Sequence, residues 1–296
     1  MTDLLRRALS STRAVAMTAG LCAGGAVAGA QAQSVWIFGE RHDHPDHAQQ
    51  TAQAVRALGR ESRLRALVIE MAERGRSTSG LGPQATEAEV RESLGWQEGA
   101  WPWAQYAPLV MAAVRSGAPV WGGNLPRAEL RAAMSEPRWD ERVPAQVHAR
   151  LVDAVREGHC DVLPASQLVP MARVQIARDE QMARAVTEAV EGAAPGQVVV
   201  LHAGAAHASR LTGVPVHLAR LAPSLPLRVI GFDSAYASGA EPGFDEWRVA
   251  QHVAPRDHCA ELRARGMMPP AAAPSAPGAA PAAPSSSPSA SDPASR

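Results

Sequence analysis

Val35-Trp36-Ile37-Phe38-Gly39-Glu40-Arg41-His42 opens on four consecutive apolar side chains and closes on a carboxylate, a guanidinium and an imidazole. An apolar run without alternation suits a strand covered on both faces, as in a parallel sheet. The pattern recurs. Ala66-Leu67-Val68-Ile69 ends in Glu70, Pro119-Val120-Trp121 in Gly122-Gly123-Asn124, and Val198-Val199-Val200-Leu201 in His202-Ala203-Gly204-Ala205-Ala206-His207; Leu227-Arg228-Val229-Ile230 is a fifth run. Between them, 47–60 and 104–116 carry apolar residues three and four apart, and 166–191 reads as a long helix opened by Ser166 and closed by Gly192. Strands alternating with helices predict an α/β fold, a mainly parallel sheet flanked by helices. Such a sheet carries its site at the carboxyl ends of its strands, where four of these runs deliver a carboxylate, imidazole or amide.

Composition removes several classes of function. The 296 residues hold 29 basic and 29 acidic side chains, and every basic one is arginine. With no net charge and no basic stripe, the chain lacks the electrostatic term on which nucleic-acid binding depends. A phosphate loop needs a lysine, and no Gly-x-Gly-x-x-Gly, Gly-x-Ser-x-Gly or His-Glu-x-x-His is present. Three cysteines, Cys22, Cys160 and Cys259, are too few for a disulfide-dense scaffold or a four-thiolate metal site.

The two ends read as something other than domain. Residues 1–32 combine Arg6, Arg7 and Arg13 with a small, apolar run over 14–30 and the cleavage-type triplets Ala28-Gly29-Ala30 and Ala30-Gln31-Ala32, the layout of a signal peptide. Cys22 follows Leu21 where a lipoprotein signal needs a small residue, so it is expected to leave with the leader. Over 269–296, 25 of 28 residues are Pro, Ala or Ser, too little apolar surface to offset ordering entropy. The expected organisation is a signal peptide over 1–32, a folded domain over 33–265 and a disordered tail over 266–296. Export to the periplasm or cell envelope makes Cys160 and Cys259 a candidate disulfide pair, with a Cys/His metal clip as the alternative.

Glu40, His42, Glu70 and His207 supply the imidazole and carboxylate donors that first-row divalent metals take, enough for a catalytic centre with one open position. Helix capping and satisfied edge histidines account for each of them singly. His44 and His47, close to His42, read as supporting or surface residues. Trp101-Pro102-Trp103-Ala104-Gln105-Tyr106 gathers two of seven tryptophans with one of two tyrosines. Aromatic walls suit a flat ligand and a phenolate is one of the axial ligands of haem iron, while core anchoring explains the same cluster. The second tyrosine, Tyr236, follows Gly231-Phe232-Asp233 in a Gly/Ser-rich stretch.

Over 39–221 these residues resemble the ChaN-type haem-binding uptake proteins of the Tiki/TraB-related superfamily. The resemblance rests on Gly39-Glu40-Arg41-His42-Asp43 with His47, the Glu70 strand end, Trp103-Ala104-Gln105-Tyr106-Ala107-Pro108-Leu109-Val110 and Gly123-Asn124-Leu125-Pro126-Arg127. It continues through Gly158-His159-Cys160-Asp161, Arg178-Asp179-Glu180-Gln181 and His207 with Gly213-Val214-Pro215-Val216-His217. The resemblance implies haem as cofactor in a non-enzymatic iron-uptake role at the cell envelope, in a homodimer, with an outer-membrane haem receptor as partner. Carried over by motif, Tyr106 is the iron ligand, His42 and His207 are further metal-side candidates, and Glu40, Trp103 and Asn124 complete the pocket. Ala206 stands before His207 where a polar residue is expected, and His44 where an amide is. The same superfamily includes members resembling metal-dependent proteases, which use two Gly-x-x-His motifs and a glutamate. Gly39 to His42, Gly204 to His207 and the carboxylates Glu40 and Glu70 match that alternative, a divalent-metal hydrolase.

Overall fold

The structure, a computed structural model, describes residues 33–234, 242–254 and 256–265. The expected signal peptide with Cys22, the tail over 266–296 and Tyr236 lie outside the described residues. In chain order the elements are β1 (Ser34–Glu40), α1 (His47–Arg60), β2 (Leu64–Glu73), α2 (Glu87–Leu94), α3 (Trp103–Arg115) and β3 (Val120–Asn124). There follow α4 (Leu130–Ser135), α5 (Ala145–Gly158), α6 (Ala165–Val190), β4 (Val198–Gly204), α7 (Ala205–Ala208), α8 (Val214–Leu221), β5 (Leu227–Ser234), β6 (Glu246–Ala250) and α9 (His258–Ala264). None of the described helices is long and apolar enough to cross a membrane.

The six strands form one sheet in the order β3-β2-β4-β1-β5-β6, and every neighbouring pair is parallel. The unbroken apolar runs are explained by burial on both faces. Phe38, Leu67, Ile69, Val198 and Val200 turn toward a core shared with α1 and α3, while Ile37, Ala66, Val68, Val199 and Leu201 feed a second core under α6 and α8. Successive residues of one strand thus serve different cores, which is the period of two at work. All five strands expected from sequence are present. The sixth, β6, lies at the sheet edge, where Glu246-Trp247-Arg248-Val249-Ala250 mixes charged and apolar side chains.

Two features of this topology make the site. From β1 the chain departs toward β2 through α1 on one face, and from adjacent β4 toward β5 through α7 and α8 on the other. The loops after β1 and β4 therefore diverge and leave a crevice at the strand ends, the switch point of an open parallel sheet. In addition, α6 has 26 residues, about 39 Å of helix at 1.5 Å per residue. A seven-residue strand spans only about 23 Å. The carboxyl half of α6 packs on the sheet, and its amino half joins α4 and α5 in a third apolar cluster that includes Leu151, Val155, Leu168 and Ile176. That overhang raises a wall beside the crevice.

Candidate functional site

Between the crevice and the overhang lies a cleft of about 960 Å³. Its floor is set by strand register: Glu40, the last residue of β1, stands beside Gly204, the last of β4. The alternation of the strands then turns the two glutamates of the floor to opposite faces. Glu40 shares the face of Phe38 and meets α3; Glu70 shares the face of Val68 and meets α6.

Glu40 is buried and gathers three partners. The Tyr106 hydroxyl donates to Oε1 at 2.7 Å, His42 Nδ1 lies 2.9 Å from the same oxygen, and His202 Nε2 lies 3.0 Å from Oε2. Burial alone would raise this carboxyl, but His202 and then His42 outweigh it and hold the pKa at about 2. Glu70, equally buried, accepts from the Gly204 amide at 2.7 Å and from Arg178. Here too burial pushes upward, and His207, Arg178 and His42 bring the pKa to about 2. Asn124 fixes this corner: its amide donates to the Glu70 carbonyl at 2.9 Å and its Oδ1 accepts from Arg178 Nε at 2.9 Å.

Two imidazoles are held in matching fashion. His42 Nδ1 is tied to Glu40, and His207 Nδ1 lies 2.6 Å from Asp179 Oδ1. A carboxylate on one ring nitrogen fixes the orientation of the ring and leaves the other nitrogen for chemistry. The Nε2 atoms lie 3.9 Å (His42) and 3.6 Å (His207) from the Glu70 carboxylate, and both residues line the cleft. Burial works to lower the His42 pKa, but the Glu40 hydrogen bond and the charges of Glu70 and Glu40 prevail and raise it. Gly204 is glycine for space: its φ of −57° suits any residue, but a Cβ there would come within 2.8 Å of His42 Nε2.

Of the residues expected from sequence, Glu40, His42, Glu70 and His207 come together on the floor of the cleft. Tyr106 stands directly behind it, 1% exposed, with its phenol raised above the ordinary value by burial and then by the Glu40 charge. Asn124 braces Glu70 from below. Trp103 turns away: its indole donates to Glu87 at 2.7 Å and packs edge-on against Trp96, while neighbouring Trp101 lines the cleft and meets the His42 ring edge-on at 4.9 Å. His44 and His47 are buried structural residues, stacked on each other at 3.8 Å and, through His47, on Phe232. Both His44 nitrogens are engaged, one with the Asp46 amide and one with the Gln251 carbonyl. Among the described residues no three His, Cys, Asp or Glu side chains are arranged to hold a metal ion, so the hydrolase alternative gains no support.

Sequence reasoning quotes Arg178 and Asp179 in a family motif and His202 at a strand end, but assigns none of the three to the site. Charged residues within the buried stripe of a long helix were the available signal for the first two. His202, although named at the end of its run, is passed over for His207 because it continues an apolar strand, where an imidazole reads as core. Cys160 and Cys259 are joined in a disulfide across a sequence separation of 99 residues.

A family profile described as haem-binding uptake, Tiki superfamily, ChaN matches residues 26–218. Among solved structures, that of cofacial haem binding to ChaN of Campylobacter jejuni is similar at a TM-score of 0.60 and 22% identity, covering 71% of this chain and 85% of that one. The type III effector HopBA1 is similar at a TM-score of 0.40 and 14% identity, over 74% of this chain and 88% of that one. No curated protein matches the sequence.

Proposed function

The chain belongs to the ChaN family of haem-binding uptake proteins, within the Tiki superfamily, and from that premise we propose that its cleft seats haem at the carboxyl edge of the sheet. The observation that carries this is the make-up of the cleft. Its 960 Å³ lies at the upper end of the range for small-molecule sites. Trp101, Leu151, Ala154 and Val155 offer an apolar wall for a flat ring system, and Arg41 and Arg256 at its mouth offer cations for carboxylate side groups. The missing Cβ at Gly204 keeps the floor open beneath the His42 ring. Imidazole and phenol are both established haem-iron donors, so the residues present fit the group.

Tyr106 serves as the iron ligand in this reading. Its hydroxyl donates to Glu40 at 2.7 Å, a hydrogen bond that orients the phenol behind the floor of the cleft, and its proton would leave on binding iron. His42 and His207 flank the iron side of the floor; Glu40 holds Tyr106 and His42, Asn124 braces Glu70, and Trp103, turned to Glu87, takes no direct part. Bound haem supplies the iron cargo, and the protein supplies shelter and orientation. The protein works at the cell envelope, exported by the leader over 1–32, as a homodimer that exchanges haem with an outer-membrane receptor. The disulfide supports this location, since such bonds persist in oxidising compartments.

The test is a haemin titration of the purified protein followed by visible absorption. The wild type develops a saturable Soret band, and Tyr106→Phe binds at least tenfold more weakly or with a shifted band. Tyr106→Phe with wild-type affinity and an identical spectrum removes the tyrosine assignment, and absence of any band in the wild type removes the proposal.

A further inference from the structure

Part of the cleft lining, at Arg256, His258 and Glu261, is built by chain that the family profile does not reach. Arg256, His258 and Glu261, in and just before α9, line the cleft together with Gly158 and His159 at the end of α5. The profile ends at residue 218. A disulfide joins these two segments, and each half-cystine directly follows one of the lining histidines, in His159-Cys160 and His258-Cys259.

We propose that α9, tethered by Cys160–Cys259, is a wall of the ligand cleft that sets how long haem stays bound, with the His159 and His258 imidazoles as its points of contact. This rests on the haem-binding reading given above.

Three observations carry it. First, α9 has seven residues and buries none of them. A helix this short, with Leu262 only half-buried and no side chain fully buried, has little to hold it in place, so the covalent bond is what keeps it against the cleft. Its hydrogen bonds among the described residues include an Asp257 cap on the Ala260 amide at 2.8 Å and a two-pronged pair of Arg256 with Glu261 at 3.0 and 2.8 Å, and the charge of Asp43 also acts on Arg256.

Second, the anchoring side is strained. Cys160 and the following Asp161 have φ of 59° and 60°, a left-handed conformation that is unfavourable for a non-glycine residue. Consecutive residues in this region persist only where the surroundings enforce them, and such strain collects at ligand clamps. The turn ends α5 with hydrogen bonds from the Cys160 amide to Glu157 and from the Asp161 amide to Arg156. It thereby delivers His159 to the cleft and Cys160 to its partner.

Third, the two histidines carry suitable chemistry. His159 Nδ1 lies 2.7 Å from the Val155 carbonyl, so Nδ1 carries the proton and, in the neutral ring, the lone pair is on Nε2. A neutral imidazole is a haem-iron donor or an acceptor for a protonated carboxyl group. The apolar wall of Leu151, Ala154 and Val155 runs along α5 straight into His159.

The experiment measures haemin release to an excess of haem-free globin by stopped flow. It compares the wild type, the Cys160→Ser/Cys259→Ser variant and a His159→Ala/His258→Ala variant that retains the disulfide. Release at least tenfold faster from the first variant and at least threefold faster from the second is expected. The spectrum of the bound state should stay the same in the cysteine variant, because the floor is untouched. A second readout follows tryptic cleavage after Arg256 and Arg263: haemin slows it in the wild type, and loss of the disulfide speeds it at least tenfold in ligand-free protein. Should the cysteine variant fail to fold, the histidine variant and the haemin protection of the wild type decide the matter. Wild-type release rates in both variants, with no haemin protection, overturn the wall while leaving haem binding intact. Fast release from the cysteine variant alone keeps the tether and removes the imidazole contact. A wild type that takes up no haemin removes the underlying function and the wall with it.

Discussion

Glu70 is the residue on which the floor turns, because its two oxygens face a backbone amide, an arginine and two imidazoles. Removing one partner of a buried ion pair leaves the other charge without compensation, typically at about 3–5 kcal/mol. Glu70→Ala, which strands Arg178, should therefore lower the thermal midpoint by roughly 10 °C in calorimetry. A midpoint within 2 °C of wild type counts against the pairing. Glu40 and Glu70 also make stability depend on pH with a definite sign. Each is held at about 2 in the folded protein against about 4.5 for an ordinary glutamate. Their contribution is present in full above pH 4.5 and is lost as pH falls toward 2, on the order of 3 kcal/mol for each. Urea midpoints measured from pH 6 to pH 2.5 should fall mainly below pH 4.5. His42 has the opposite sign: its raised pKa contributes stability below its ordinary value of 6.5 and loses it as pH rises through the folded value. In an NMR titration the His42 pKa should lie above 6.5 in the wild type and drop in Glu40→Gln, whose amide keeps the shape and removes the charge.

At the scale of elements, the meeting of β1 and β4 decides whether His42 reaches the cleft. Gly204→Ala places a methyl 2.8 Å from His42 Nε2 and 3.4 Å from Glu70 Oε2. His42 is exposed and can yield, whereas Glu70 is locked in the floor. The variant should fold with a loss of roughly 1–3 kcal/mol, swing His42 off Glu40 and bring its titration back toward ordinary histidine. An unchanged His42 titration in Gly204→Ala would show that the ring does not sit over the glycine.

The same elements explain what was legible in the sequence. Five strands were, because burial on both faces leaves runs of Val, Ile and Leu that no other environment produces so compactly. The sixth was not, because β6 is only partly covered and keeps Glu246 and Arg248, which break the apolar run. Helix α5 was not read from the sequence, although Val147, Leu151 and Val155, spaced four apart on the stripe that packs against α6, were the available signal. It becomes part of the site only through the overhang of α6, a matter of length against strand length rather than of local pattern. Glu40, His42, Glu70 and His207 were legible because each closes or follows a strand. Tyr106 and Trp103 sat in one aromatic string, and only the helix shows that the first turns to Glu40 and the second to Glu87. Adjacent helical residues do not share a face, but Trp103 and Tyr106 are three apart and nearly do, so pattern alone could not separate them.

At the scale of the molecule, the cleft is the sum of contributions distant in sequence: strand ends for the floor, α5 with Trp101 for the apolar wall, α6 for Arg178 and Asp179, and the disulfide-tethered α9 for a further part of the lining. Sequence reasoning reached the floor and not the walls, since walls depend on how helices project past the sheet. The claim that this cleft seats haem is tested most directly by filling it from the wall. Ala154 lies on α5, exposed to the cleft and far in sequence from every floor residue, so Ala154→Trp occupies the space without disturbing Glu40, His42, Glu70 or Tyr106. In an equilibrium haemin titration the wild type should bind saturably, and Ala154→Trp, with an unchanged thermal midpoint, should bind at least tenfold more weakly. Equal affinity in the two proteins would contradict the account, because haem would then be held somewhere else.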